Sequence, residues 1–354
     1  MKTLRLCKYG GAVALVILIA VAGCSDEKSM PVEDPTPSSV PIEPFDRPAL
    51  FVVNGRSNSI SVVDVSTNEV AGTIALVNVV YPHHAYFDAD QSAVVVAAPG
   101  HDLSAGHGGH GSDTQGAVLV LDAETGMTRT ARRLDYPNHN ALPSPDGDEI
   151  WTALMSSPGA VLVLDRSTLL TLHTIPVGDM PSEVTFNSDG RYAFVANTNS
   201  ASVTVIDVGT KEQVTTIPVG EGPVGAWPGV NGVMYVDNEH GESVTAIDGS
   251  TLEIVGTYDL GFTPGMAVVA PNGELWVTDT ELGAVVFFRS DEDVRLGDLP
   301  TGAGAHAIAF NENGSTAYVS NQSAGSVTAI DVATHSVLET ISVGAQPNGL
   351  LFRP

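Results

Sequence analysis

Ten histidines stand in the 354-residue chain, and their placing is the first feature with chemical content. Three of them, His101, His107 and His110, lie in the glycine-rich stretch APGHDLSAGHGGHGSD at 98–113. His83 and His84 directly follow Pro82, His139 stands two residues after Pro137, and His306 stands one after Ala305. Glu183 stands two residues after Pro181. Two neutral imidazoles and a carboxylate make a common zinc set, with a fourth position left for water or another donor. Residues this far apart in sequence act together only if the fold gathers them.

The rest of the composition narrows the chemistry. The two cysteines are Cys7 and Cys24, so the body of the protein holds neither a disulfide nor a thiolate ligand. No Cys-x-x-Cys pair, glycine-rich phosphate loop or His-Glu-x-x-His helix is present. No nucleophile–base pair is recognisable, so the expectation is a binding protein rather than an enzyme. The formal net charge is −26. Such a surface repels phosphate backbones, which excludes nucleic acid as a partner, and it attracts cations without choosing among them.

The first residues read as an export signal. Lys2, Arg5 and Lys8 precede the apolar run GGAVALVILIAVAG, which ends at Cys24. That run is too short to span a hydrocarbon core of ~30 Å comfortably. Val-Ala-Gly-Cys at 21–24 resembles the lipobox of bacterial lipoproteins, in which the cysteine is lipidated after cleavage. The resemblance implies a signal peptide over 1–23, lipidation at Cys24 and a membrane association through the lipid alone. Ser25 at the next position implies the periplasmic face of the outer membrane in a cell that has one. Removal of three positive and no negative charges with the signal takes the net charge from −26 to −29. Residues 24–48 are rich in Pro, Ser and acid and read as a disordered tether.

Internal repeats decide the expected fold of residues 49–354. RYAFVANTNSASVTVIDVGTKEQVTTIPVGEGP at 191–223 recurs as TAYVSNQSAGSVTAIDVATHSVLETISVGAQP at 316–347, and again as ALFVVNGRSNSISVVDVSTNEVAGTIAL at 49–76. Each copy alternates apolar and polar residues between Asn, Asp and Gly turns, the pattern of short strands. The opening positions are Pro82, Pro137, Pro181, Pro223, Pro264, Ala305 and Pro347, spaced by 41–44 residues except for one gap of 55. The long gap holds the histidine stretch. The last opening strand, PNGLLF, has no successor, and the first copy lacks an opening strand. Joined, the two ends complete a seventh unit and remove the exposed edges of an open sheet.

These units resemble the YVTN-type β-propeller repeat. Its aromatic-Val-x-Asn segment stands at Phe194–Asn197, Tyr235–Asn238 and Tyr318–Asn321, and its Ile-Asp strand end at Ile206-Asp207, Ile247-Asp248 and Ile330-Asp331. The resemblance implies an all-β, seven-bladed β-propeller of four-stranded antiparallel blades, closed by N- and C-terminal strands in one blade. Three departures stand out: Ala98 and Leu154 replace the motif Asn in the second and third units, and Arg289 replaces the strand-end Asp in the sixth.

In such a ring, the link into each first strand and the loop between strands two and three share one face. His83, His84, His101, His107, His110, His139, His240 and His306 all map to that face, whereas His173 and His335 do not. Strand side chains alternate, so only every second residue aims into the channel. His84, His139 and Glu183 share that phase on three adjacent blades. His101, His107 or His110 is then a further donor from the loop of the same blade as His84. His306 is one residue out of phase, so its inclusion requires a register shift. Met180 and Met266 at the same rim would suit cuprous copper, but they read as packing residues, which leaves zinc favoured over copper.

The expected function is therefore metal storage or delivery by a monomeric envelope lipoprotein, with a partner such as a metal importer component. In outline the chain is similar to exported zinc-chaperone propellers. Binding needs neutral imidazoles, so it should weaken below the ordinary imidazole pKa of ~6.5. An envelope scaffold that presents its loop face to a protein is the alternative. The repeat is also similar to haem-d1 propellers and to seven-bladed lactonases, which makes tetrapyrrole binding or lactonase-like chemistry the third reading.

Overall fold

The blades are built from strands whose two middle members are buried on both sides. Tyr192–Asn197 and Ala49–Asn54 are buried at every position, because each sheet packs a neighbour on either face. Outermost strands such as Gln213–Pro218 are largely exposed and keep one apolar contact, Ile217. The computed structural model describes residues 35–104 and 114–354. Within Thr36–Pro354 it contains seven antiparallel sheets, six of four strands and one of five. The fold is a seven-bladed β-propeller.

Blade 1 is the seam. Its innermost strand is Pro347–Arg353, paired with Ala49–Asn54 so that Arg353 meets Ala49 and Pro347 meets Asn54. Blades 2 to 7 have first strands beginning at Ala85, Leu142, Pro181, Pro223, Pro264 and Ala305. Among the described residues the one helical turn is the 3-10 segment Thr198–Ser200, and no helix is long and apolar enough to cross a membrane.

The motif asparagines earn their place by tying strand two to strand three. Nδ2 of Asn197 donates to Ser202 Oγ at 3.3 Å and Thr204 Oγ1 at 2.9 Å. Asn54, Asn238 and Asn321 repeat this pair of bonds. Each asparagine also packs against a glycine three residues before the blade opening. A Cβ on Gly178 would stand 2.6 Å from Asn197 Cγ, and Gly220, Gly302 and Gly344 face Asn238, Asn321 and Asn54 as closely. In blades 2 and 3 both partners change together. Ala98 lies in one apolar cluster with Val79, and Leu154 in another with Leu134. A polar lock is thus exchanged for an apolar one beneath the openings that carry His83, His84 and His139.

The expectation of disorder over 24–48 fails for its second half. Ser38–Val40 adds a fifth strand to blade 1 against Glu69–Val77. Ile42 N–H and Phe45 N–H then donate to the carbonyls of Thr125 and Glu124 in blade 2. The composition is that of a tether, but Ile42 and Phe45 are apolar plugs, and Phe45 is buried. Arg353 clamps this strap, donating to the carbonyls of Phe45, Arg47 and Ala123. Residues 1–23 and Cys24 lie outside the described residues.

Candidate metal centre in the channel mouth

A bulge at the openings of blade 2, blades 4 to 7 and the seam decides which side chains reach the channel. In blade 4, Pro181 pairs with Asn197 and Val184 with Val195, so Ser182 and Glu183 together oppose Ala196 alone. Blades 5, 6 and 7 shift register at the same place, as does the seam. In blade 2, His83 N–H donates to the Ala97 carbonyl and Ala97 N–H to the His84 carbonyl, so this pair also faces one residue. Such a bulge re-aims side chains that strict alternation would send to opposite sides. Adjacent His83 and His84 therefore both enter the mouth, and His306 does so at the bulge of blade 7.

Five expected donors converge. His84, His139 and Glu183 offer ligand atoms within 4.8 Å of one another, and so do His83, His84 and His306. Glu183 Oε1 lies 2.6 Å from His139 Nδ1 and 3.2 Å from His84 Nε2. The rings are packed closely, with His83 centred 4.3 Å from His139 and 5.4 Å from His306. All five side chains are buried, His139 and Glu183 at 1 % exposure and His306 at 7 %.

Glu183 is held from behind. Asn140 Nδ2 lies 3.5 Å from its Oε2 and donates to the Val184 carbonyl at 2.9 Å, while Asn140 Oδ1 accepts from Val184 N–H at 3.2 Å. Oε1 is the oxygen that both ring nitrogens approach, in contacts that are ion pairs when the imidazoles are protonated. A buried carboxylate is costly unless a cation, either imidazolium or a metal ion, meets it. Around a tetrahedral zinc with bonds of ~2.0 Å, neighbouring donors are about 3.3 Å apart. The Oε1–Nε2 separation already has that size, and the contact to His139 has to open by about 0.7 Å.

Four further residues share the mouth. Tyr86 stacks 6.3 Å from the His84 ring and Trp227 lies 6.0 Å away. Burial, reinforced by the Glu183 charge, pushes the Tyr86 hydroxyl well above its ordinary range. The same two causes push the Asp237 carboxyl well up, although it accepts the Trp227 indole N–H at 2.7 Å. With Asn140, these groups escaped the sequence reading. Tyr86 and Trp227 stand four residues after their openings, in phase with His84, so a count carried one step further along each strand finds them.

The histidine loop is only partly within reach of description. His101 does not join the converging donors and lies 3.4 Å from Thr114 Oγ1 through Nδ1. His107 and His110 fall outside the described residues. The loop's near end arches across the mouth: Asp102 accepts from Gln346 Nε2 at 2.6 Å, and Leu103 packs on Met155 and Met180. Met180 is thus a packing residue, and Met266 packs between two blade cores while its sulfur accepts Ile308 N–H. Outside the histidines lies a cavity of about 530 Å³, lined by His306, Glu239, His240, Glu242 and Glu281 among others. Arg56 stands at the rim of a neighbouring cavity of about 570 Å³.

No family model and no curated protein matches the sequence. Among solved structures, the chain is similar to the periplasmic gluconolactonase PpgL of Pseudomonas aeruginosa, at TM-score 0.70 and 19 % identity over 87 % of this chain and 99 % of that one. A proposed 6-phosphogluconolactonase of Bacteroides fragilis gives 0.67 and 17 % over 87 % and 99 %. The dihydro-haem d1 dehydrogenase NirN, bound to its ligand, gives 0.63 and 14 % over 89 % of this chain and 79 % of that one. At such identities the likeness shows the seven-bladed ring and not a shared reaction. It does overturn the expectation of a non-enzyme. Rings of this shape include a gluconolactonase and a dehydrogenase, and the mouth holds imidazole, carboxyl and phenol groups suited to proton transfer.

Proposed function

We propose that the protein is an exported propeller, lipid-anchored through Cys24, that holds a divalent transition metal in its channel mouth. Zinc is favoured over copper, because the donors are imidazole and carboxylate with no thiolate or exposed thioether among them. His84, His139 and Glu183 form the core of the site, with His83 and His306 beside it. The observation that carries this reading is the buried convergence of Glu183 Oε1 with His84 Nε2 and His139 Nδ1, at 3.2 and 2.6 Å. The role that fits a tethered acidic propeller is storage of the ion or its delivery to an envelope partner such as a metal importer component. Zinc calorimetry on the protein and on His84→Ala and His139→Ala tests it. Affinity unchanged in both variants ends the proposal.

A second reading is supported by the 530 Å³ cavity beside the site and by the buried Tyr86 and Asp237. A metal with an open position polarises a carbonyl, and protonated side chains can supply a proton to a leaving oxygen. That combination suits hydrolysis of a small lactone. Turnover of gluconolactones by the zinc-loaded protein, compared with the chelated protein and with Glu183→Gln, decides it. Identical rates in all three remove the hydrolytic reading.

A further inference from the structure

The two donor triads are not equivalent, and their difference has a direction. His83, His84 and His306 form a set of imidazoles only, and His306 lines the outer cavity. His84, His139 and Glu183 form a deeper set that includes a carboxylate, with His139 and Glu183 at 1 % exposure. Above them, the outer cavity is walled by Glu239, Glu242 and Glu281. Negative walls in a cleft concentrate cations there, and the attraction of a dication to a carboxylate grows as water is excluded. Both gradients run inward.

Resting on the metal-binding reading above, we infer that the mouth contains two overlapping stations: an ion is taken up at His83, His84 and His306 and passed to His84, His139 and Glu183. His84 is the hinge of the transfer. Its Nδ1 packs against Gly349, where an added Cβ would come within 2.9 Å, and its Nε2 faces Glu183. One ring with one nitrogen turned to the centre serves both stations, so they fill in turn and the protein holds one ion. His306 is accordingly an uptake ligand, and Glu183 a retention ligand.

Stopped-flow mixing of the metal-free protein with zinc, followed by Trp227 fluorescence beside His84, separates the two roles. His306→Ala should slow association about tenfold or more while changing equilibrium affinity by less than about threefold, as expected for loss of a guiding element. His139→Ala should leave association unchanged and raise dissociation by more than the ~10–100-fold typical of losing a supporting partner. The double variant Glu242→Gln/Glu281→Gln keeps the histidines and should slow association with a weakened salt dependence. Equal losses of affinity in His306→Ala and His139→Ala would show one merged site and overturn the relay, as would unchanged association in His306→Ala and the double variant together. Absence of any zinc binding by the unaltered protein would instead refute the metal reading itself.

Discussion

Glu183 Oε1 lies 2.6 Å from His139 Nδ1 across a blade boundary, with both side chains at 1 % exposure. The pair exists only because neighbouring blades turn their openings to a common axis, Glu183 from the bulge of blade 4. A ligand that binds the folded state alone stabilises it, by about 2.7 kcal/mol at a hundredfold excess over its dissociation constant. The unaltered protein should therefore melt higher in the presence of zinc. Glu183→Gln should lose that increment while the metal-free melting temperature stays nearly the same. A full zinc-dependent shift in Glu183→Gln would sink the assignment.

Asp237 carries a sign that can be tested. Burial and the Glu183 charge raise its folded pKa above the ordinary 3.8. Its contribution to stability is thus complete below the ordinary carboxyl value and is lost as pH rises toward the folded one. Asp237→Asn has no such titration. The melting temperature of the variant relative to the unaltered protein should climb from pH 4 upward, read by calorimetry without metal. A constant difference would contradict the raised carboxyl.

The turn aspartates act in the opposite sense. Asp165 is held down to about 2 by hydrogen bonds from Thr168 and Ser167, and Asp331 and Asp64 are lowered by Thr334 and Ser66. Their stabilisation is present above the ordinary 3.8 and disappears as pH falls through the lowered values, which for Asp165 means toward about 2. Acid unfolding should be centred in that interval, and Asp165→Asn should shallow the slope there. Circular dichroism against pH checks it.

Arg353 holds strap and seam at once. Its loss removes charge-assisted bonds to three carbonyls, each worth about 1.5–3 kcal/mol when intact. Arg353→Ala should cost at least about 2 kcal/mol by urea unfolding and expose residues 36–47 to protease. Deletion of the strap alone should then make Arg353→Ala much less costly, because the two Phe45 and Arg47 carbonyls are already gone.

The asparagine–glycine contact predicts coupling. Gly178→Ala drives a Cβ into Asn197, a strain of about 1–3 kcal/mol. Combination with Asn197→Ala, in imitation of the Val79–Ala98 pair, should cost less than the two changes added. Strict additivity in a double-mutant cycle would rule the contact out as the reason for the glycine.

The ring was legible in the sequence because most blades repeat the same signals, from an opening proline to a strand-end aspartate, and Ala305 and Arg289 keep the spacing where the residue changes. His84, His139 and Glu183 were legible because they share one position in that repeat. His83 and His306 break simple alternation, and only the bulge explains their presence. Asp237 and Asn140 could not be read, since each acts on a residue of another strand or blade through contacts that no repeat spacing encodes. The tether was misjudged for a related reason: Ile42 and Phe45 are too few to register in composition, yet they find pockets already formed by blades 1 and 2.

The seam sets a time order as well as a shape. Gly349 N–H donates to the His83 carbonyl at 2.9 Å, and Asn348 Nδ2 donates to that of Pro82 at 3.2 Å, so the wall behind the paired histidines comes from the last strand of the chain. A polypeptide emerging from its N-terminus can form most blades before that wall exists. The gathering of imidazoles is finished only when Pro347–Arg353 docks against Ala49–Asn54 and closes the ring.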